Sequence, residues 1–146
     1  MRSMTQADVD EVLGIELEVQ AYPWTRGNFI DALNSGYMCC VDEEHGAIRS
    51  YAILMPAVGE AELLTIGVAL VQQRKGLGRM MLNEMLQKAR AMNMKQVFLE
   101  VRSSNVAAIA LYCSAGFGVA GVRRGYYQNV NGSEDALVMS CDLKDE

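Results

Sequence analysis

The 146-residue chain is long enough for one domain with a proper core. Its 51% hydrophobic and 21% charged residues make an ordinary globular composition and exclude a disordered chain. Thirteen Lys and Arg against eighteen Asp and Glu leave a formal net charge of -5, a poor basis for general nucleic-acid binding and a better one for a cationic partner.

From Thr5 the chain reads as a helix. Thr5 followed by Asp8 is a capping pattern, and Val9, Val12, Leu13, Glu16 and Leu17 form a partial 3.6-residue stripe. Pro23 interrupts it, because proline disfavours helix in the residue before it. Thr25 caps a short second helix with Phe29, Ile30 and Leu33 on one side. Residues 37–41 and 48–55 read as the strands of a hairpin around a turn at 42–46, and His45 reads as a solvated turn residue. Residues 62–69 form a third strand, apolar on both faces and therefore central. A polar, glycine-containing loop at 72–78 leads into a helix from 78 to about 92, with Met81, Leu82, Met85, Leu86 and Ala89 facing inward. A buried strand at 96–101 and a helix at 105–115 closed by Gly116 follow, and strands at 117–123 and 136–142 complete an α/β fold with helices covering a mixed sheet.

The four cysteines do not form a disulfide framework: Cys39 and Cys40 are adjacent, while Cys113 and Cys141 stand alone. With no CxxC spacing and His45 as the single histidine, no metal site is expected. Reduced, mostly buried thiols fit, Cys113 among them as a core residue rather than a nucleophile. The first residues carry no apolar signal region, and no run approaches the ~18 apolar residues of a membrane span. The expected location is the cytoplasm.

Two segments carry chemistry. The first is Gln73-Arg74-Lys75-Gly76-Leu77-Gly78, between a strand and a helix. The leading N–H groups of a helix lack intrahelical partners, and the macrodipole is positive there. Glycines let a phosphate approach those groups, and Arg74, Lys75 and Arg79 add positive charge. The loop is a candidate pyrophosphate cradle; it is neither a Walker loop nor a dinucleotide fingerprint, and a plain strand-to-helix turn is the competing reading. The second runs from Leu99-Glu100-Val101-Arg102 through Asn105 to Tyr112. Glu100, among apolar Phe98, Leu99 and Val101, is either a solvent-side sheet residue or a functional carboxylate in a cleft. Asn105 is placed to cap the next helix, and Tyr112, two turns on, lies on the same face. Its phenol either donates a proton to a leaving group or packs.

Taken together, the order strand, Q-x-x-G-x-G, helix, strand, S-x-N and helix with A-x-x-L-Y resembles the GNAT superfamily of acetyl-CoA-dependent N-acetyltransferases. Ala21-Tyr22-Pro23-Trp24, Glu62-Leu63-Leu64-Thr65-Ile66, Leu99-Glu100-Val101-Arg102, Arg123-Arg124-Gly125-Tyr126-Tyr127 and Gly132-Ser133-Glu134-Asp135-Ala136-Leu137-Val138-Met139 are similar to its RimI family, over essentially the whole chain. RimI enzymes acetylate the N-terminal alanine of small-subunit ribosomal protein eighteen.

The resemblance implies one domain over residues 1–146, with a mixed, mostly antiparallel central sheet flanked by helices. It implies acetyl-CoA as cosubstrate and no metal. The N-terminal peptide of ribosomal protein eighteen is the implied partner, with no general nucleic-acid or membrane binding. Glu100 corresponds to the family's base and Tyr112 to its acid. Gln73, Arg74, Lys75, Gly76, Leu77 and Gly78 correspond to the CoA loop, with Arg79 at the helix start. The backbone of Ile66, Gly67 and Val68 would hold the pantetheine arm, Asn105 would touch the cofactor, and the segment of Arg123, Arg124, Tyr126 and Tyr127 borders the peptide groove. Two departures stand out: Ala69-Leu70 replaces the usual Asp-Pro turn before the loop, and Arg49-Ser50 replaces small glycine-type residues. The alternatives are a GNAT enzyme acting on another peptide or a small-molecule amine, and a non-catalytic CoA-binding adaptor.

Overall fold

The computed structural model describes residues 1–130 and 132–143. The described residues form seven strands, β1 (Arg2–Ser3), β2 (Met38–Glu44), β3 (Ala47–Pro56), β4 (Glu60–Val68), β5 (Gln96–Arg102), β6 (Gly118–Asn129) and β7 (Gly132–Asp142), and four α-helices, α1 (Val9–Val19), α2 (Arg26–Asn34), α3 (Leu77–Ala91) and α4 (Val106–Ser114). The strands hydrogen-bond in the order β1-β2-β3-β4-β5-β7-β6. The β4–β5 pairing is parallel, through Glu60, Ala61 and Glu62 against Gln96, Val97 and Phe98; the β1–β2, β2–β3, β5–β7 and β6–β7 pairings are antiparallel. The expected mixed, mostly antiparallel sheet is therefore present, with β4 at the middle position. The chain divides into two compact units, Met1–Pro56 with Leu63–Met85, and Ala57–Glu62 with the chain from Leu86 onward.

In the first unit the expected stripe of α1 is met in part: Val9, Val12 and Glu16 are buried and Leu13 partly buried, but Leu17 is exposed and Ile15, outside that stripe, is buried instead. Val9, Val12 and Ile15 are buried in one cluster with Phe29 and Ala32 of α2 and with Tyr51 and Ile53 of β3. The Thr5–Asp8 pattern caps a 3-10 turn over Gln6–Asp8 that leads into α1, and Thr25 caps α2. Asp8 Oδ2 accepts from the Thr5 N–H at 2.8 Å, and Thr25 and Asn28 bond each other's backbone N–H reciprocally at 3.1 and 2.9 Å. Strand β1 escapes a sequence reading because two residues carry no alternation. It is held by Arg2, whose guanidinium donates to both Asp8 oxygens at 2.8 Å and keeps that carboxyl well below the usual carboxylate range. The β2–β3 turn places His45 and Gly46 at φ 54 and 79, the pair of positive angles that a two-residue hairpin turn requires. Arg49 ion-pairs Asp42 at 2.8 Å and Glu44 at 2.6 Å, so the unusual arginine offsets the acidic strand beside it.

In the second unit Asn105 caps α4, its side chain accepting from the Ala108 N–H at 3.2 Å. The helix ends at Ser114 with Gly116 at φ 104; the Phe117 N–H bonds the Tyr112 carbonyl at 3.0 Å and the Gly116 N–H the Cys113 carbonyl at 3.1 Å. One expectation fails here. Cys113 is exposed, whereas Cys39, Cys40 and Cys141 are buried. Tyr112 takes the buried face of α4, and a residue one position along a helix points about 100° away. Strands β6 and β7 also run several residues beyond the expected 123 and 136. A register shift between Arg123 and Tyr127, with Gly125 at φ 62 and its N–H on Asp135 Oδ1 at 2.9 Å, breaks the alternation that a sequence reading needs. Helix α3 buries Met81, Leu82, Met85, Leu86 and Ala89, the face its period predicts. Among the described residues no helix is long and apolar enough to cross a membrane.

Candidate active site

The glycine loop belongs to the first unit. Strand β4 ends at Val68, and Ala69, at the first departure from the family pattern, caps a short 3-10 turn over Leu70–Gln72. The Gln72 N–H returns to the Ala69 carbonyl at 2.8 Å, so the chain turns here without a proline. Arg74 (φ 66) and Gly76 (φ 78) then take left-handed conformations, and α3 begins at Leu77, whose buried side chain anchors the helix start. The Met80 N–H already bonds the Gly76 carbonyl at 3.1 Å, which leaves Leu77 and Gly78 among the leading helix amides. A Cβ built on Gly76 meets nothing within 4 Å, so the space beside this glycine is open. Gln73, Arg74, Lys75 and Arg79 are exposed around it. Backbone donors, helix dipole and cationic side chains together fit a pyrophosphate group. The Gln73 side chain donates to the Val68 carbonyl at 3.1 Å and the Lys75 ammonium to Gln72 Oε1 at 3.1 Å, which ties the loop back to the end of β4.

The second unit holds the titratable cluster. Glu100 lies on β5 with its side chain 22% exposed, and Arg123 Nη2 stands 3.2 Å from its Oε1. Register places Glu62 of β4 opposite Phe98, and Phe98 and Glu100 share one face of β5. Burial and the charge of Glu100 push the Glu62 carboxyl upward, and Arg123 opposes that shift. Glu62 is the functional candidate that sequence reasoning missed: it stood in the E-A-E-L-L-T-I run, but only strand register sets it near Glu100. Further along, Arg102 stacks over the Tyr127 ring at 4.1 Å and ion-pairs Glu134 at 3.3 Å. Burial, then Glu100, raises the Tyr127 phenol. Tyr112 is buried beside Phe117, ring centroids 5.9 Å apart, and its phenol is pushed up to about 12, mainly by burial and then by Tyr127. Asn105, the expected cofactor contact, uses its side-chain oxygen as the α4 cap. Among the described residues no group of three or more His, Cys, Asp or Glu stands together to hold a metal ion.

A mixed α/β sheet with a glycine loop ahead of its long helix is the architecture of an acetyltransferase, and the chain belongs to the acetyltransferase (GNAT) family, whose model matches residues 8–117. Such enzymes draw their acetyl group from acetyl-CoA. Within the family the chain is of the RimI type. It is 36% identical over 141 residues to the [ribosomal protein bS18]-alanine N-acetyltransferase of Escherichia coli (strain K12), a match covering 97% of this chain and 95% of that protein. It is 37% identical over 152 residues to the N-alpha-acetyltransferase RimI of Mycobacterium tuberculosis, covering 98% and 92%. The crystal structure of the Escherichia coli ribosomal-protein-S18-alanine N-acetyltransferase superposes with a TM-score of 0.92 at 34% identity, covering 99% of this chain and 94% of that one.

Proposed function

We propose that this acetyltransferase modifies the N-terminal alanine amine of ribosomal protein bS18, acting in the cytoplasm with residues 1–146 as one catalytic domain. Similarity over almost the full length of the Escherichia coli enzyme with that named activity carries the reading. The acidic net charge suits a basic acceptor peptide. The backbone at Ile66, Gly67 and Val68 holds the pantetheine arm, and the loop from Gln73 to Gly78 with Arg79 holds the phosphates. When bound, acetyl-CoA supplies a thioester carbonyl open to attack by an amine. A protein N-terminal amine has a pKa near 8 and is largely protonated at neutral pH. Glu100 takes the ammonium proton, directly or through a water, and so frees the attacking lone pair. A backbone N–H polarises the carbonyl as charge develops on its oxygen. Tyr112 gives its phenolic proton to the departing thiolate. The acetyl group passes to the amine without an acyl-enzyme.

Mass spectrometry of the bS18 N-terminal peptide after incubation with acetyl-CoA tests the acceptor. The expected product carries one acetyl group on the alanine amine. A blocked, lysine-containing peptide reacts far more slowly, because a lysine pKa of about 10.4 leaves little neutral amine at pH 7. Equal rates on the two peptides overturn the N-terminal assignment.

Gly76 tests the loop. Gly76→Asp places a carboxylate at the helix start, where it competes with the pyrophosphate and repels it, and weakens acetyl-CoA binding about 10-fold, since like charges ~4 Å apart near a protein surface repel by ~1–4 kcal/mol. Gly76→Asn accepts the same left-handed backbone without the charge and loses much less. Titration calorimetry on both variants separates charge from strain. An affinity for acetyl-CoA in Gly76→Asp equal to that of wild type removes the loop from the cofactor site.

A further inference from the structure

Of the buried carboxyls that the chemistry above leaves unused, Asp8 and Asp42 ion-pair Arg2 and Arg49, whereas Glu16 is held by neutral donors. Glu16 of α1 is 1% exposed. Its Oε1 accepts from the Tyr51 hydroxyl at 2.5 Å and the Thr65 hydroxyl at 3.0 Å, and its Oε2 accepts from the Trp24 N–H at 2.9 Å. A carboxylate buried among neutral donors carries a desolvation cost of several kcal/mol, and an apolar side chain would fill the same space without it. What the carboxylate adds is geometry, because it fixes donors from β3, β4 and the loop between α1 and α2 around one group.

Those donors lead to β4. Thr65 is held by Glu16 directly. Ile66 is held by Gln20, which ends α1 and whose Nε2 donates to the Ile66 carbonyl at 2.9 Å. Gly67 rests on Tyr51: a Cβ built there would lie 2.3 Å from the Tyr51 hydroxyl oxygen and 2.5 and 2.7 Å from two ring carbons. Gly67 does not have a left-handed φ, so this close approach, and not backbone conformation, is what demands a glycine. Tyr51 is itself 0% exposed, so its hydroxyl has no room to move away from Glu16. Three successive β4 residues are thus set by polar side chains from α1 and its C-cap, one of them through Tyr51.

We propose that Glu16 and Tyr51 are positioning residues for acetyl transfer, holding the backbone of Thr65, Ile66 and Gly67 in the register that the pantetheine arm requires. The proposal rests on the reading that this stretch of β4 carries that arm. Neither residue needs to touch the cofactor. Their action is on the strand, and a small displacement of a positioning element is enough to lower the rate by up to ~10²-fold.

Three conservative variants test it. Tyr51→Phe deletes the hydroxyl beneath Gly67, Glu16→Gln keeps the shape but loses the second full acceptor, and Thr65→Val removes one donor. Each is assayed for kcat and KM with acetyl-CoA, and for affinity toward adenosine 3′-phosphate 5′-diphosphate, the nucleotide half of CoA, which has no pantetheine. The expected result for Tyr51→Phe and Glu16→Gln is a loss of about 10-fold in kcat/KM for acetyl-CoA, with nucleotide affinity within about 2-fold of wild type. Thr65→Val shows the same pattern at smaller amplitude. Equal weakening of both ligands marks a general structural defect and overturns the proposal, as does unchanged kcat/KM. If Glu16→Gln does not fold by circular dichroism, the other two variants carry the test alone. If wild type binds neither acetyl-CoA nor the nucleotide, the cofactor reading itself fails and this proposal falls with it.

Discussion

Glu100→Gln lowers turnover by about 10²–10⁴-fold at neutral pH, the usual worth of a general base. The side chain sits on a central strand, half-buried, with Arg123 3.2 Å from one oxygen, so the substitution removes charge and basicity without leaving a cavity. The acceptor amine, with a pKa near 8, loses its proton unaided as the solution becomes alkaline. The variant therefore recovers part of its activity toward high pH, and the deficit against wild type narrows there. Acetyl-CoA affinity stays close to wild type, because the loop proposed for the phosphates belongs to a separate stretch of chain. Thiol-release kinetics between about pH 6.5 and 9.5 measure both effects. Near-wild-type turnover in Glu100→Gln at pH 7 ends the assignment of the base and leaves the family membership intact.

Tyr112→Phe lowers turnover by about 10²-fold or more, the lower part of the range for proton transfer to a leaving group. Burial holds the phenol at about 12, so it keeps its proton through the whole assay range and is available as an acid at every pH tested. The sign follows from that value: a group protonated below about 12 has no titration step between neutral and mildly alkaline solution, so its loss is not relieved by raising the pH. Alkaline solution instead supplies fewer protons to the thiolate. The phenylalanine ring keeps the contact with Phe117, and folding is preserved. The contrast between the variants is diagnostic: alkaline solution rescues Glu100→Gln and not Tyr112→Phe. If Tyr112→Phe instead raises the acetyl-CoA dissociation constant and spares turnover, the ring is a packing surface for the cofactor and not an acid.

The parts of this protein that were legible in its sequence are the ones governed by local rules. The α3 face of Met81, Leu82, Met85, Leu86 and Ala89 follows from a 3.6-residue period. The caps at Thr25 and Asn105 follow from the short range of a side-chain bond to a backbone N–H. The Gly116 terminus follows from the left-handed angle that a helix stop favours. The glycine loop was visible for the same reason, since its conformation is set within a few residues by Arg74, Gly76 and the start of α3.

Tertiary structure alone decided what depends on pairing between distant segments. Strand β1 exists because Arg2 and Ser3 find Val41 and Cys40, and because Arg2 reaches Asp8 and Glu43; two isolated residues carry no period to read. The lengths of β6 and β7 are set by each other across an irregular register that no single strand encodes. Cys113 and Tyr112 are adjacent in an apolar helix, and only packing chose which of the two is buried. Glu62 joins Glu100 through the parallel register of β4 and β5, and Glu16 meets Tyr51 and Thr65 across 35 and 49 residues of chain. Sequence determined the elements, the loop and the family, because those are written in neighbouring residues and motif spacing. The electrostatics of Glu62 and Glu100 and the support beneath β4 arise from distances between residues far apart in the chain, and those distances exist only once the sheet has formed.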